Sequence, residues 1–154
     1  MDLTDLIGPQ DVHTGVKASC KKSLLQELAA KASKKTGIAA ETIFATLLER
    51  EKLGSTGIGN GIAIPHGKIA GLPKIIGLAV TLNEPVAFEA LDDQPVDIVF
   101  LLLAPDDSGA DHLKALARVA RVLKQPNMLA KLRGADGNAA LYALLSEAET
   151  SHAA

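Results

Sequence analysis

Ile98-Val99-Phe100-Leu101-Leu102-Leu103-Ala104 carries no polar side chain. A strand with one wet face alternates apolar and polar residues, so an unbroken run of this length reads as a central strand covered on both faces. Such a strand needs two covering layers, and the rest of the chain offers helices to build them. The run also falls far short of the roughly 20 apolar residues that a membrane span requires.

The flanking pattern supplies those layers. Asp11 to Ala18 reads as a weak first strand, and Ser19 as the N-cap of a helix through about Lys35 with Leu24, Leu25, Leu28 and Ala32 along one stripe. A second helix is expected from about Ala40 to Lys52, burying Ile43, Phe44, Leu47 and Leu48 between Gly37 and Gly54. Strands follow at about 57–65, 75–82, 86–90 and 96–103, with Asn83-Glu84-Pro85 and Asp92-Asp93-Gln94-Pro95 as turns. A third helix over about 110–124 points Leu113, Leu116, Ala117, Ala120 and Leu123 inward and Lys114, Arg118, Arg121 and Lys124 outward. Short helices at about 127–132 and 137–147 finish the domain, and the tail after Glu147 is expected to be loose. The order of elements predicts an α/β fold of α+β-like character. It is a mixed sheet of about five strands sandwiched between helices, in one domain over 1–154.

Aromatic residues are only 3% of the chain, so this core must be aliphatic. A net charge of −2 argues against nucleic acid, whose binders concentrate positive charge. No basic segment or apolar signal core opens the chain. The single cysteine, Cys20, rules out an internal disulfide framework and fits a reducing cytoplasm, with a structural or incidental role for the thiol.

The chemistry concentrates around His66, held between Pro65 and Gly67. Pro65 fixes its own backbone angle and pushes Ile64 into an extended conformation, and Gly67 lets the chain turn away. His66 is thus expected at a strand end on a stiff backbone. His112 is the second candidate, where Pro105-Asp106-Asp107-Ser108-Gly109 leads from the apolar strand into a helix N-terminus that favours an anion. The two rings could share one pocket, one of them as nucleophile; a structural role stays open for each. His13 and His152 lie near the termini, and His152 is expected to be exposed. Gly57, Gly59 and Gly61 match neither the dinucleotide fingerprint nor the P-loop, so tight turning and close packing explain them. Asp106, Asp107 and Asp111 fit no calcium loop and read as a solvated turn. No nucleophile-elbow serine is present.

Glu51, followed by Ile58-Gly59-Asn60-Gly61-Ile62-Ala63-Ile64-Pro65-His66-Gly67, resembles the signature of the fructose/mannitol-type IIA domains of the bacterial phosphotransferase system. The run Leu48 to Thr56, with His66-Gly67-Lys68, is most similar to the nitrogen-regulatory branch of that family. The resemblance implies that His66 accepts a phosphoryl group on Nε2 from a histidine phosphocarrier, HPr or its nitrogen-branch paralogue NPr. It implies that Arg50 and His112 lie beside His66, and that Ser55, Asn60 and Gly67 shape the phosphate pocket. It further implies a cytoplasmic regulatory protein with no cofactor and no metal, whose targets include potassium-transport or sensor-kinase proteins. A sugar-specific IIA passing phosphate to a IIB domain is the nearest alternative. A pure interaction module and, more remotely, a metal-dependent hydrolase built on His66, His112 and the acidic turn are the others.

Overall fold

The computed structural model describes residues 2–153, with side chains through Glu147. It opens with helix α1 (Leu3–Leu6) and a 3-10 turn (Pro9–Asp11). Both are too short to leave a periodic signal. They are held because Leu3, Leu6 and Ile7 are buried, and the Asp2 N–H donates to Asp5 Oδ2 at 2.8 Å. Next come β1 (Val12–Val16), α2 (Lys21–Thr36) and α3 (Ala40–Lys52). Strands β2 (Gly57–Gly59), β3 (Ile62–Ala63), β4 (His66–Ile69), β5 (Ile76–Val86) and β6 (Val96–Pro105) lead to α4 (Ala110–Leu123), α5 (Met128–Arg133) and α6 (Asn138–Ala153).

The sheet is mixed, in the order β1-β5-β6-β3-β2, with β4 also paired to β6. Strand β6 runs antiparallel to β5 on one flank. Its other flank takes β3 at Ile98–Val99 and then β4 at Leu102–Pro105, both parallel. Six strands therefore occupy five positions across the sheet. Along β6 the side chains alternate between two cores. Val99, Leu101 and Leu103 join Leu24, Leu28, Ile43 and Leu47 under α2 and α3. Ile98, Phe100 and Leu102 join Val119, Val122, Leu132 and Leu141 under the remaining helices. The unbroken apolar run is thus buried on both sides, and every residue from Ile98 to Ala104 is at most 4% exposed.

Several expectations need correction. The N-cap of α2 is Cys20, not Ser19: its Sγ accepts the Ser23 N–H, while the Ser23 hydroxyl takes the Cys20 and Ser19 N–H groups. The expected strand 57–65 is a hairpin, because Asn60 (φ 58°) and Gly61 (φ 82°) both adopt the left-handed conformation of a two-residue turn. The expected break at Asn83-Glu84-Pro85 lies inside β5. There the pairing with β6 shifts register between Thr81 and Val86, and a proline is tolerated in such a bulge. Helix α4 is rotated by about one residue from the expected stripe. It buries His112, Ala115, Val119, Val122 and Leu123 and leaves Leu113 67% exposed. The backbone of α6 continues past 147 to Ala153. The loose tail and exposed His152 expected there fall on residues whose side chains lie outside the described ones.

Candidate functional site

His66 is the first residue of β4, opposite Leu102 of β6. The strap before it is pinned on both sides. The Ile64 N–H bonds the Thr56 carbonyl at 3.0 Å, and the Pro65 carbonyl takes the Leu102 N–H at 3.0 Å. The Ile64 carbonyl then accepts from His66 Nδ1 at 2.9 Å. A carbonyl can only accept, so Nδ1 carries the proton of the neutral ring and Nε2 presents its lone pair. The backbone selects the tautomer.

Arg50, in the last turn of α3, aims its Nε–H at that same Nε2 at 3.2 Å. Its Nη1 donates to the Gly54 carbonyl at 2.9 Å, which holds the guanidinium plane in place. From the opposite helical layer, His112 in the first turn of α4 brings its ring centroid to 5.3 Å from that of His66, tilted by 55°. His112 is buried, and its Nδ1 has no hydrogen-bond partner among the described residues. His66 itself is only partly buried. Burial holds its imidazole below the ordinary value of 6.5. The Arg50 charge pushes the same way, against the Ile64 carbonyl and the Glu51 charge, which raise it. His112 is lowered as well, by burial first and then by the charges of His66 and Lys68.

Arg50, His66 and His112 are therefore brought together as a permanent cation, an imidazole presenting its Nε2 lone pair and a second imidazole. The other pocket residues are placed differently. Gly67 does not turn the chain away; it continues β4. A Cβ there would stand 2.5 Å from Thr46 Cγ2, so its bare α-carbon lets α3, and with it Arg50, pack close to the strand. The Ser55 hydroxyl donates to the Phe88 carbonyl at 2.9 Å and accepts the Gly57 N–H at 3.1 Å, bracing the loop after α3. Asn60 is not brought to the histidines. In the β2–β3 turn its N–H meets Asp92 and its carbonyl takes Arg133 Nη2 at 2.9 Å. Arg133 is locked there by a bidentate pair with Asp97.

Glu51 was missed as a site residue. Its signal lay in the sequence: Ile43, Leu47 and Glu51 follow each other at four-residue spacing, so a carboxylate completes the buried stripe of α3. Cys20 is exposed, and its thiol is lowered chiefly by the Ser23 backbone N–H. Among the described residues no group of three or more His, Cys, Asp or Glu side chains is gathered to hold a metal ion.

Fold and site together define a small α/β domain with a histidine pair at the sheet edge. Residues 5–148 match the family model described as phosphoenolpyruvate-dependent sugar phosphotransferase system, EIIA 2. The nitrogen regulatory protein of Bradyrhizobium diazoefficiens is 51% identical over 146 residues, covering 95% of each chain. That of Escherichia coli K12 is 37% identical over 150 residues, covering 97% of this chain and 92% of its own. The crystal structure of nitrogen regulatory protein IIA-Ntr from Neisseria meningitidis superimposes with a TM-score of 0.87 at 31% identity, over 93% of this chain and 98% of that one. The chain belongs to the EIIA type 2 family, in its nitrogen-regulatory branch, and is a regulatory phosphocarrier of phosphotransferase type.

Proposed function

We propose that this protein works by reversible phosphorylation of His66 on Nε2, received from a phosphohistidine carrier of the HPr/NPr kind, and that the added phosphate changes what it binds. The observation that supports this most is the Ile64 carbonyl on Nδ1, which leaves Nε2 as the lone-pair nitrogen directly under the Arg50 guanidinium. In the transfer, the Nε2 lone pair forms the new N–P bond while the donor imidazole takes back the pair of the bond that breaks. The transition state is loose, so catalysis is positioning and charge stabilisation. Arg50 supplies both: its fixed N–H groups swing from ring nitrogen to phosphoryl oxygens with little movement. His112, with its ring centroid 5.3 Å from that of His66, can turn a ring N–H toward another oxygen. The phosphorylated ring keeps its Nδ1 proton, and the Ile64 carbonyl stabilises the positive charge that gathers there.

A protein donor fits the surroundings. Leu53, just beyond α3, is 84% exposed, and Leu113, next to His112, is 67% exposed. Both follow closely in sequence on Arg50 and His112, where a docking donor would meet them. A phosphate adds roughly −1.5 to −2 charge at that face, enough to change which partner docks. Potassium-transport and sensor-kinase proteins are the target classes that the family resemblance carries over, in a cytoplasmic setting. No helix among the described residues is long and apolar enough to cross a membrane.

Incubation with phosphoenolpyruvate, enzyme I and the phosphocarrier, followed by mass spectrometry, tests the reading. One phosphate on the unsubstituted protein and none on a His66→Ala variant is expected; phosphate retained by His66→Ala removes His66 from the role. Poor transfer onward to fructose or mannitol IIB domains is expected too, and efficient transfer would favour a sugar-specific role.

A further inference from the structure

We propose that the buried Lys21–Glu51 ion pair, together with Thr56, positions His66: it fixes the strap that carries the ring and holds a negative charge behind it. This rests on the reading of His66 as phosphoryl acceptor.

The Glu51 side chain is 3% exposed. A carboxylate in such a place is costly unless every oxygen is satisfied. Here Lys21 Nζ stands 2.9 Å from Oε1, the Thr56 N–H donates to the same oxygen at 3.0 Å, and the Thr56 hydroxyl bonds Oε2. Lys21 is in turn held 4.6 Å above the Phe88 ring centroid and lies 3.8 Å from Glu89. Apolar residues of similar volume commonly stabilise a core as well as a buried ion pair does. The pair is better explained by where it points.

From it an unbroken series of hydrogen bonds reaches the acceptor ring. Glu51 grips Thr56, the Thr56 carbonyl takes the Ile64 N–H at 3.0 Å, and the Ile64 carbonyl takes Nδ1–H of His66 at 2.9 Å. The charged and titratable groups facing His66 are Arg50 and Glu51 from α3 and His112 from α4, with Lys68 on β4 acting on His112. Of these Glu51 alone favours a positive ring. As Nε2 bonds phosphorus and the donor's N–P bond breaks, positive charge grows on the imidazole and no proton has to move. The Glu51 carboxylate fixed behind the strap, its charge partly offset by Lys21, stabilises that change without reorganising.

Glu51→Gln keeps the shape and can still hold Thr56, its amide oxygen accepting the Thr56 N–H and its amide N–H donating to the hydroxyl oxygen, but removes the charge. The measurements are the proton-NMR titration of the His66 ring, thermal melting, and the rate of phosphate uptake from a phosphohistidine carrier. In the variant His66 is expected to titrate at lower pH than in the unsubstituted protein, and uptake to slow by roughly ten- to a hundredfold, as for a slightly displaced reacting group. Because Glu51→Gln leaves Lys21 with only its 3.8 Å contact to the exposed Glu89, a Lys21→Met/Glu51→Gln double variant, which also removes that cation, carries the same test if the single variant does not fold. A folded variant whose His66 titration and uptake rate match the unsubstituted protein overturns the proposal, and a lower melting temperature alone counts against it. Phosphate uptake that survives His66→Ala defeats the acceptor reading instead, and the ring titration still decides whether Glu51 acts on His66.

Discussion

His66 shows how a single residue is tuned by what borders it. Its imidazole sits below the ordinary 6.5 because burial and Arg50 disfavour the charged form. A lowered value means that more than half of the rings are neutral, and nucleophilic, at pH 6.5. Phosphate uptake is therefore expected to fall with acidification, as Nε2 gains a proton, around a midpoint that lies below 6.5. Initial rates measured on both sides of that pH with one phosphocarrier check this, and a midpoint above 6.5 contradicts it. The sequence made His66 legible through its stiff Pro65 and its neighbour Gly67. It hid the reason for Gly67, because a close approach of Thr46 from a helix some twenty residues earlier leaves no local mark. Glu51 was legible as part of the signature, but its role emerges only once Lys21, Thr56 and the His66 strap are seen around it.

Among the elements, β4 and α3 share the tightest constraint. Gly67→Ala would place a methyl group against Thr46, and overpacking of this kind costs about 1–3 kcal/mol. Thermal or denaturant melting is expected to show that loss, and Thr46→Ser in the same protein to recover part of it by removing the methyl group in the way. Recovery absent would mean the strain lies elsewhere. The hairpin at Asn60-Gly61 was written plainly in the sequence, since this dipeptide is the strongest short signal for a two-residue turn. The apolar residues on either side of it look continuous and mask it. The buried face of helix α4 is masked for a different reason. The helix carries two adjacent apolar stripes, one through Leu113 and Leu116 and one through Ala115, Val119 and Val122. The smaller, branched series is the one that packs down on the sheet, and that choice turns His112 into the site. Only tertiary packing decides between the two stripes.

For the molecule as a whole, one apolar run dictated the plan: a strand buried on both faces requires two helical layers, and β6 has them. The histidine site lies where those layers meet at the sheet edge, so each contributes one partner, Arg50 from α3 and His112 from α4. The N-terminal helix and turn were not legible, being too short for any period, yet Leu3, Leu6 and Ile7 complete the second core. The exposed leucines flanking the site bear on docking rather than on folding. Leu113→Asp is expected to raise the KM for the phosphocarrier several-fold with kcat and melting temperature little changed, since the side chain is in water in the free protein. A fall in kcat alone would argue against a docking role. The most direct measurement is NMR of the phosphorylated protein carrying nitrogen-15 histidine, which resolves the ring nitrogen bonded to phosphorus. Phosphorus on Nε2 of His66, with Nδ1 still protonated toward the Ile64 carbonyl, is the expected result. Phosphorus on Nδ1, or on any other residue, would contradict it.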